Sequence, residues 1–168
     1  WLARMLEGGE EIKFIARRMV ILASEDIGLA NPNALLMATS CFQAVHMIGM
    51  PEARIILSET AIYLAASPKS NSAYAAIGLA QEIAGKTGNL SVPLHLRNAP
   101  TRLMKELGYG DRYKYAHDYA GNFVADRYLP EELKDQRIYT PGNNPREEEM
   151  RKRLDALWKD KKSYGKKK

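Results

Sequence analysis

Residues 31–68 have the sequence NPNALLMATSCFQAVHMIGMPEARIILSETAIYLAASP, and this stretch decides the fold class. Asn31-Pro32 predicts the start of a helix, because Asn is a favoured N-cap residue and Pro fits the first helical position. A second helix is predicted to begin at Pro51 and to end at Ser67-Pro68, since the residue before a proline avoids the helical conformation. Both helices are apolar on several faces, so each lies in the centre of the fold or is buried against another subunit.

The apolar side chains of these two helices are candidates either for the core of one subunit or for an interface between subunits. The candidates are Leu35, Leu36, Phe42, Val45, Ile55, Ile56 and Ile62. A small helical monomer would leave part of this surface in water, and burial of one leucine-sized side chain contributes roughly 1.5–3 kcal/mol. A handful of them at a symmetric interface outweighs an association cost of about 4–15 kcal/mol, so we expect self-association.

Helices are also predicted on both sides of this stretch. Residues 11–26 carry apolar side chains at i, i+3, i+7 and i+10, which indicates an amphipathic helix. Residues 71–86 are predicted to form a helix rich in Ala and Gly, a composition that permits close helix packing. Residues 1–9 show helical spacing followed by Gly8-Gly9, and we expect them to be the last turns of a helix that begins further upstream in a longer protein.

The second half of the chain has a different character. Residues 108–142 are rich in Tyr and Gly and lack helical periodicity, so we expect an irregular segment that wraps over the helical body. A short helix is predicted around residues 101–107, and Pro145 begins a last helix with three Glu in its first turn, as the helix dipole favours. We therefore predict an all-α helical bundle, with residues 1–142 as one domain and residues 143–168 as a C-terminal helix and basic tail.

The net charge of +5 is confined to the end of the chain. Residues 146–168 contain ten Lys and Arg against five Asp and Glu, which leaves fifteen of each sign for the rest. A sequence pI of about 9.3 is therefore no sign of a basic folded face. Within the body, the basic cluster poorest in acids is formed by His95, Arg97, Arg102 and Lys105. It is the candidate for contact with DNA or a partner, although we favour an internal anchoring role.

No catalytic constellation is visible in the sequence. Gly85-Lys86-Thr87 matches the end of a phosphate-binding P-loop, but the first P-loop glycine is replaced by Ala80 and the motif is predicted to end a helix. The three histidines share no metal-ligand spacing, so we expect no catalytic, cofactor or metal site and no enzymatic activity in this chain. Cys41 is the single cysteine, which fits a free buried thiol in a reducing, cytoplasmic setting. No run reaches the roughly 18 apolar residues of a membrane span.

Three stretches resemble the C-terminal region of the RarA/MgsA family of AAA+ ATPases, which are related to clamp-loader subunits and to the Werner-helicase-interacting protein. They are FIARRMVILASEDIGLANPNAL (residues 14–35), PKSNSAY (residues 68–74) and VPLHLRNAPTRLMKELGYGDRYKYAHDYAGNFVADRYLPEEL (residues 92–133). The resemblance extends to about Tyr139, and the third stretch is long and unusual enough to be specific.

The resemblance implies a helical domain similar to the clamp-loader collar, through which the ATPase forms a homotetramer. It implies that ATP and Mg bind in an ATPase domain outside this chain. That ATPase domain is implied to be a further partner of the helical domain. It also implies that the full-length protein is a DNA-dependent ATPase that acts at replication forks. The partners implied for the full-length protein are DNA and single-strand-binding protein. Its implied location is the cytoplasm, and the nucleoid if the source is bacterial. The alternative is an accessory DNA-binding module that uses the His95 to Lys105 cluster and the basic tail.

Overall fold

The computed structural model describes residues 1–164, except for the side chain of residue 160. Its α-helices are α1 (Leu2–Glu7), α2 (Ile12–Leu22), α3 (Asn33–Ile48), α4 (Ala53–Ala66), α5 (Ser72–Thr87), α6 (Arg102–Glu106) and α7 (Pro145–Trp158). A π-helical turn, Ala23–Ile27, follows α2 directly. All regular secondary structure within residues 1–164 is helical, so the all-α prediction is confirmed. Every helix in this range is too short or too polar to cross a lipid bilayer.

The chain divides into two compact units. Of the described residues, the first unit consists of residues 1–78 and 139–151, and the second of residues 79–138 and 152–164. The predicted division into a helical domain, residues 1–142, and a C-terminal helix with a basic tail, residues 143–168, stays a prediction.

The centre of the first unit is formed by α2, α3 and α4. The buried side of α3 consists of small or β-branched residues at i, i+4, i+7 and i+11, namely Ala34, Ala38, Cys41 and Val45. At one end of α3, Cys41 and Val45 share a cluster with Ile15, Ala16, Ala53 and Leu57. At the other end, Ala34 and Ala38 share a cluster with Ala23, Ile27 and Leu64. Therefore α3 runs antiparallel to both α2 and α4, and its alanines permit the three helices to approach closely.

The thiol of Cys41 lies inside the first of these clusters, as expected for a free buried cysteine. Its Sγ atom is 4.0 Å from the carbonyl oxygen of Ile56 on α4. Burial raises the pKa of the thiol, and the negative charge of Glu59 acts in the same direction. The thiol is therefore held in its protonated, unreactive form.

The start of α3 differs by one position from the sequence prediction. Pro32 is the N-cap residue and Asn33 the first helical residue, whereas Asn31 was expected as the cap and Pro32 as the first position. The physical reason is that the Asn31 side chain is used elsewhere. Its Nδ2 donates to the hydroxyl oxygens of Tyr63, at 3.0 Å, and Ser67, at 3.1 Å. Asn31 therefore connects the start of α3 to the end of α4.

A close backbone contact connects the π-helical turn to the segment before α5. Gly28 has a φ of +48°, and a Cβ at this position would lie 2.8 Å from the carbonyl oxygen of Ser70. The Ser70 N–H donates to the carbonyl oxygen of Asp26 at 2.8 Å. Only glycine combines this φ with such a close approach.

A buried carboxylate joins the C-terminal part of the first unit to the residues that begin α5. Glu147, in the first turn of α7, is fully buried. Its oxygens accept hydrogen bonds from the Ser72 hydroxyl (2.5 Å), the Tyr139 hydroxyl (3.0 Å), the Gly142 N–H (3.0 Å) and Asn144 Nδ2 (2.5 Å). Asn144 Oδ1 in turn accepts from the Glu147 N–H at 3.0 Å, as an N-terminal cap.

The hydrogen bonds determine the ionisation of Glu147. Burial by itself raises the pKa of the carboxyl group, but the hydrogen bonds that it accepts, with that from the Gly142 N–H as the largest contribution, outweigh burial and hold the pKa at about 2. Burial and the neighbouring carboxylate raise the pKa of Tyr139 to about 12. Glu147 is thus ionised and Tyr139 neutral, which is the pairing that their hydrogen bond requires.

The same segment is also held by Arg151, one turn further along α7. Its Nη2 donates to the carbonyl oxygens of Pro141, at 2.8 Å, and Gly142, at 3.1 Å, while its Nη1 contacts the Glu148 carboxylate. Arg151 is buried, so these charge-assisted hydrogen bonds are shielded from water.

The second unit contains the predicted irregular segment. Residues 108–138 form turns and 3-10 helical turns without an α-helix. Trp158 packs edge-to-face against Phe123, with ring centroids 5.4 Å apart, and against Tyr128, at 6.3 Å. Aromatic contacts thus replace backbone periodicity in ordering this segment. Its predicted packing over the helical body stays a prediction.

We predict that Glu147→Gln lowers the free energy of unfolding at pH 7 by about 2–3 kcal/mol, because an amide cannot accept all four hydrogen bonds. The folded pKa of about 2 lies below the ordinary 4.5, so the carboxylate stabilises the fold fully above pH 4.5 and loses this effect as the pH falls toward 2. Urea unfolding of both proteins should therefore show a difference that narrows from pH 5 to pH 2.

The matched control for this experiment is Glu149→Gln, because Glu149 lies in the same helix but is exposed. A constant difference between Glu147→Gln and the native chain across this pH range would contradict the assigned role of the carboxylate.

Candidate interaction surfaces

The outer side of the α3–α4 hairpin is polar in its middle and apolar at both ends. Thr39, Ser40 and Gln43 face solvent in the middle of α3. Large apolar side chains lie exposed near the turn between the helices and again at the opposite end. Because the buried side of the hairpin already fills the core of the first unit, these apolar ends have no role in that core.

The first apolar group, which we name the turn patch, surrounds the connection between α3 and α4. Met47 is 77% exposed and Ile55 57% exposed. The turn patch consists of Met47, Ile48, Met50 and Ile55. Single exposed apolar residues are ordinary on protein surfaces, whereas four within nine positions of one turn form a group typical of an interaction site.

The second apolar group, which we name the open-end patch, lies where α3 begins and α4 ends. Leu36 and Ile62 are each 67% exposed, and Leu35 is 42% exposed. Ile62 lines a surface pocket of about 490 Å³ together with Met37. The open-end patch consists of Leu35, Leu36, Met37 and Ile62.

The structure separates the seven apolar candidates of the sequence analysis. Val45 is buried in the core, and Phe42 and Ile56 are partly buried against the same cluster. The remaining four, Leu35, Leu36, Ile55 and Ile62, are exposed. Their role in an interface stays a prediction. Sequence reasoning did not single out Ile48 and Met50, although their apolar side chains on either side of Gly49, in a turn, could have indicated them.

The predicted basic cluster contains one side chain with an internal role. Arg97 Nε donates to the Val92 carbonyl oxygen at 2.7 Å, and its Nη1 donates to the Tyr109 hydroxyl at 3.1 Å. Its guanidinium carbon also lies 4.9 Å from the centre of the Tyr109 ring. Arg97 is thus held within the second unit by hydrogen bonds and a cation–π contact.

The other members of this cluster do not share one environment. Arg102 is almost fully exposed and pairs with Glu106 at 2.8 Å, one turn along α6, and Lys105 is also exposed. The Nε2 atom of His95 is buried and has no hydrogen-bond partner among residues 1–164. Therefore Arg102 and Lys105 are available to a partner, whereas Arg97 is not.

The Gly85-Lys86-Thr87 motif and the consecutive acidic residues Glu25 and Asp26 have ordinary surroundings. Residues 85–87 end α5, as predicted, with Lys86 Nζ 2.5 Å from Glu82 and the Thr87 hydroxyl donating to the Ile83 carbonyl oxygen at 2.8 Å. Glu25 and Asp26 lie in the π-helical turn, on the rim of an apolar pocket of about 280 Å³.

Comparison with known proteins identifies the family. The model of the family described as MgsA AAA+ ATPase C terminal matches residues 1–158. The chain belongs to this family. Among curated relatives of the MgsA C-terminal family, replication-associated recombination protein A of Coxiella burnetii is 44% identical over 92% of this chain and 36% of its own length.

Further relatives extend across bacteria and beyond. Replication-associated recombination protein A of Escherichia coli K12 is 39% identical over 94% of this chain and 35% of its own length. ATPase WRNIP1 of Dictyostelium discoideum is 46% identical over 83% of this chain and 16% of its own length. This MgsA C-terminal domain thus spans about a third of the bacterial relatives and a smaller part of the Dictyostelium protein. The RarA/MgsA resemblance drawn from the sequence is confirmed.

We predict that Arg97→Ala destabilises the domain by about 1–3 kcal/mol, because it removes two hydrogen bonds and a cation–π contact. Arg102→Ala, six residues along, should leave the urea midpoint unchanged, since exposed ion pairs contribute little. Equal midpoints for the two variants would contradict the internal role of Arg97.

Proposed function

We propose that this chain is the homotetramerisation domain of a replication- and recombination-associated AAA+ ATPase. The observation that carries the proposal is the exposed apolar surface at both ends of the α3–α4 hairpin. Membership of the MgsA C-terminal family supports it, together with relatives named replication-associated recombination protein A. A domain without a catalytic constellation, but with uncovered apolar side chains, is suited to assembly.

The energetics favour association through these patches. Leu36, Ile55 and Ile62 are each more than half exposed, so an interface could bury much of their area. Full burial of side chains of this size contributes roughly 1.5–3 kcal/mol each. Several residues from each of two copies therefore offset an association cost of about 4–15 kcal/mol.

In this proposal the longer protein supplies the chemistry. ATP and Mg bind to its ATPase domain, and this chain assembles four copies of that domain into a tetramer. The tetramer is a DNA-dependent ATPase that maintains replication forks. It is located in the cytoplasm, at the nucleoid if the source is bacterial. Its partners are DNA and single-strand-binding protein. None of these activities is assigned to residues of this chain.

We predict that the chain forms a tetramer, with four times the 18.9 kDa chain mass, in light scattering coupled to gel filtration. Leu36→Glu combined with Ile62→Glu should reduce the mass, because two buried charges at an apolar contact are costly. The control is Gln43→Glu, which adds charge at an exposed polar position of α3 and should keep four subunits. A native chain whose mass stays at 18.9 kDa across a dilution series would overturn the proposal.

The second candidate function is accessory DNA binding. Arg102 and Lys105 are exposed on α6, and Lys159, Lys161 and Lys162 follow the last helix. Residues 165–168, which contain three further lysines, lie outside the described residues. Cations concentrated in a tail favour sequence-independent binding through release of counterions from the phosphates.

We predict that any DNA affinity of the chain is weak, falls steeply with salt, and is mostly lost when residues 159–168 are removed, because this removes six lysines and one acid. Fluorescence anisotropy with a labelled oligonucleotide at 50 and 200 mM salt measures both the affinity and the salt slope. Arg102→Gln combined with Lys105→Gln, with the tail intact, is the comparison. Unchanged affinity and slope after truncation would place the binding in the body instead.

A further inference from the structure

The helix α5 passes from one compact unit of the chain into the other. It begins at Ser72 and ends at Thr87, and the boundary between the two units lies between Gly78 and Leu79. Residues 72–78 of the helix therefore belong to the first unit and residues 79–87 to the second. The boundary thus lies in the interior of a continuous helix.

Tertiary packing does little to hold α5 straight. Within residues 72–87, all of which are described, only Ser72 is buried. The residues on both sides of the unit boundary, Ile77, Gly78 and Leu79, are exposed. Such a helix is held mainly by its own backbone hydrogen bonds, and a helix of about 15 residues is marginal in water without packing. Local opening is easiest where few side chains are buried.

Gly78 is the weakest point in the interior of this helix. Glycine loses more conformational freedom on folding than any other residue, and it destabilises a helix interior relative to alanine. A Cβ at this position would meet no heavy atom within 4 Å, so no close contact requires glycine here. What glycine provides at this position is therefore freedom of the backbone.

The helix α7 also crosses the boundary between the units, but it is built differently. It crosses between Arg151 and Lys152, and residues 146–158 contain neither glycine nor proline. On one side of the crossing, Arg151 donates to the carbonyl oxygens of residues 141 and 142. On the other side, Trp158 packs against Phe123. Therefore α7 is the stiff connection, and α5 is the connection that can bend.

We propose that α5 is a joint of the chain, which bends at Gly78 so that residues 72–78 and 79–87 change direction with respect to each other. The bend opens the backbone hydrogen bonds that span Gly78, from the N–H groups of residues 79–82 to the carbonyl oxygens of residues 75–78. Water replaces these bonds at a modest cost, because a helix so exposed leaves them accessible. Since α7 stays continuous, the motion is a limited bend.

This inference goes beyond the proposed function and does not require it, because a bend within α5 is a property of a single chain. Its consequence is that a partner bound to one compact unit can displace that unit without unfolding the other. Hinges of this kind need only a few residues that absorb the change in backbone angles.

The first test is amide hydrogen exchange along α5, measured by NMR. A helix that only frays exchanges fastest at its ends and slowest in its middle. A joint at Gly78 instead gives a maximum of exchange at residues 79–82. In Gly78→Ala we expect this maximum to disappear, with exchange of the same amides slowed by about two- to fivefold. Exchange that is slowest at residues 79–82 of the native chain would overturn the proposal.

The second test measures the bend as distances between two spin labels. Gln43→Cys and Arg102→Cys place the labels at exposed positions of the first and second unit, while the native Cys41 is buried and stays unlabelled. Labelled chain is mixed with an excess of unlabelled chain, so that distances within one chain dominate. The expected result is a broad distance distribution that becomes narrower in Gly78→Ala. A narrow distribution in the otherwise native chain would contradict the joint.

The matched control for both tests is Gly85→Ala. It makes the same change in the same helix, again where a Cβ would meet no heavy atom within 4 Å, but about two turns further along. It should leave the exchange maximum and the broad distance distribution in place. Equal effects of Gly78→Ala and Gly85→Ala would count against a joint at Gly78. Neither readout depends on the number of subunits, so failure of the joint and failure of tetramerisation are distinguishable.

Discussion

The Glu147 carboxylate is the constraint on which the architecture of the first unit depends. It brings together residues that are distant in the sequence, since its partners come from residue 72 as well as residues 139–144. A fully buried charge is tolerable only when its oxygens are surrounded by donors, and here four neutral donors provide that environment. The position of the first turn of α7 is thereby fixed by chemistry rather than by apolar packing, because hydrogen bonds are directional and leave little freedom of rotation.

A different principle operates among α2, α3 and α4. Alanines on the buried side of α3 allow close helix packing, whereas Leu36, Ile55 and Ile62 of the same hairpin lie outside the core. The hairpin therefore combines a tight buried side with apolar side chains on its exterior.

Much of this organisation could be predicted from the sequence. Helix periodicity, proline positions and glycine ends placed α3, α4, α5 and α7 within a few residues of their observed bounds, because these signals are local. Sequence patterns could not show that Val45 is buried and Leu36 exposed, since both are apolar residues of one helix and only tertiary packing decides which of them is buried. The Glu147 network was also out of reach. Three consecutive glutamates at a helix start look alike in sequence, and Asn144 and Ser72 reveal their role only after folding.

Cys41 gives the first unit a built-in chemical reporter. It is the single cysteine of the chain, and its thiol lies between α3 and the carbonyl of Ile56 on α4, protonated and out of contact with water. An alkylating reagent needs the exposed thiolate, so it reacts only during moments when these helices separate. The rate at which Cys41 is alkylated in the unaltered protein therefore reports how often the helical core opens, without any engineered label.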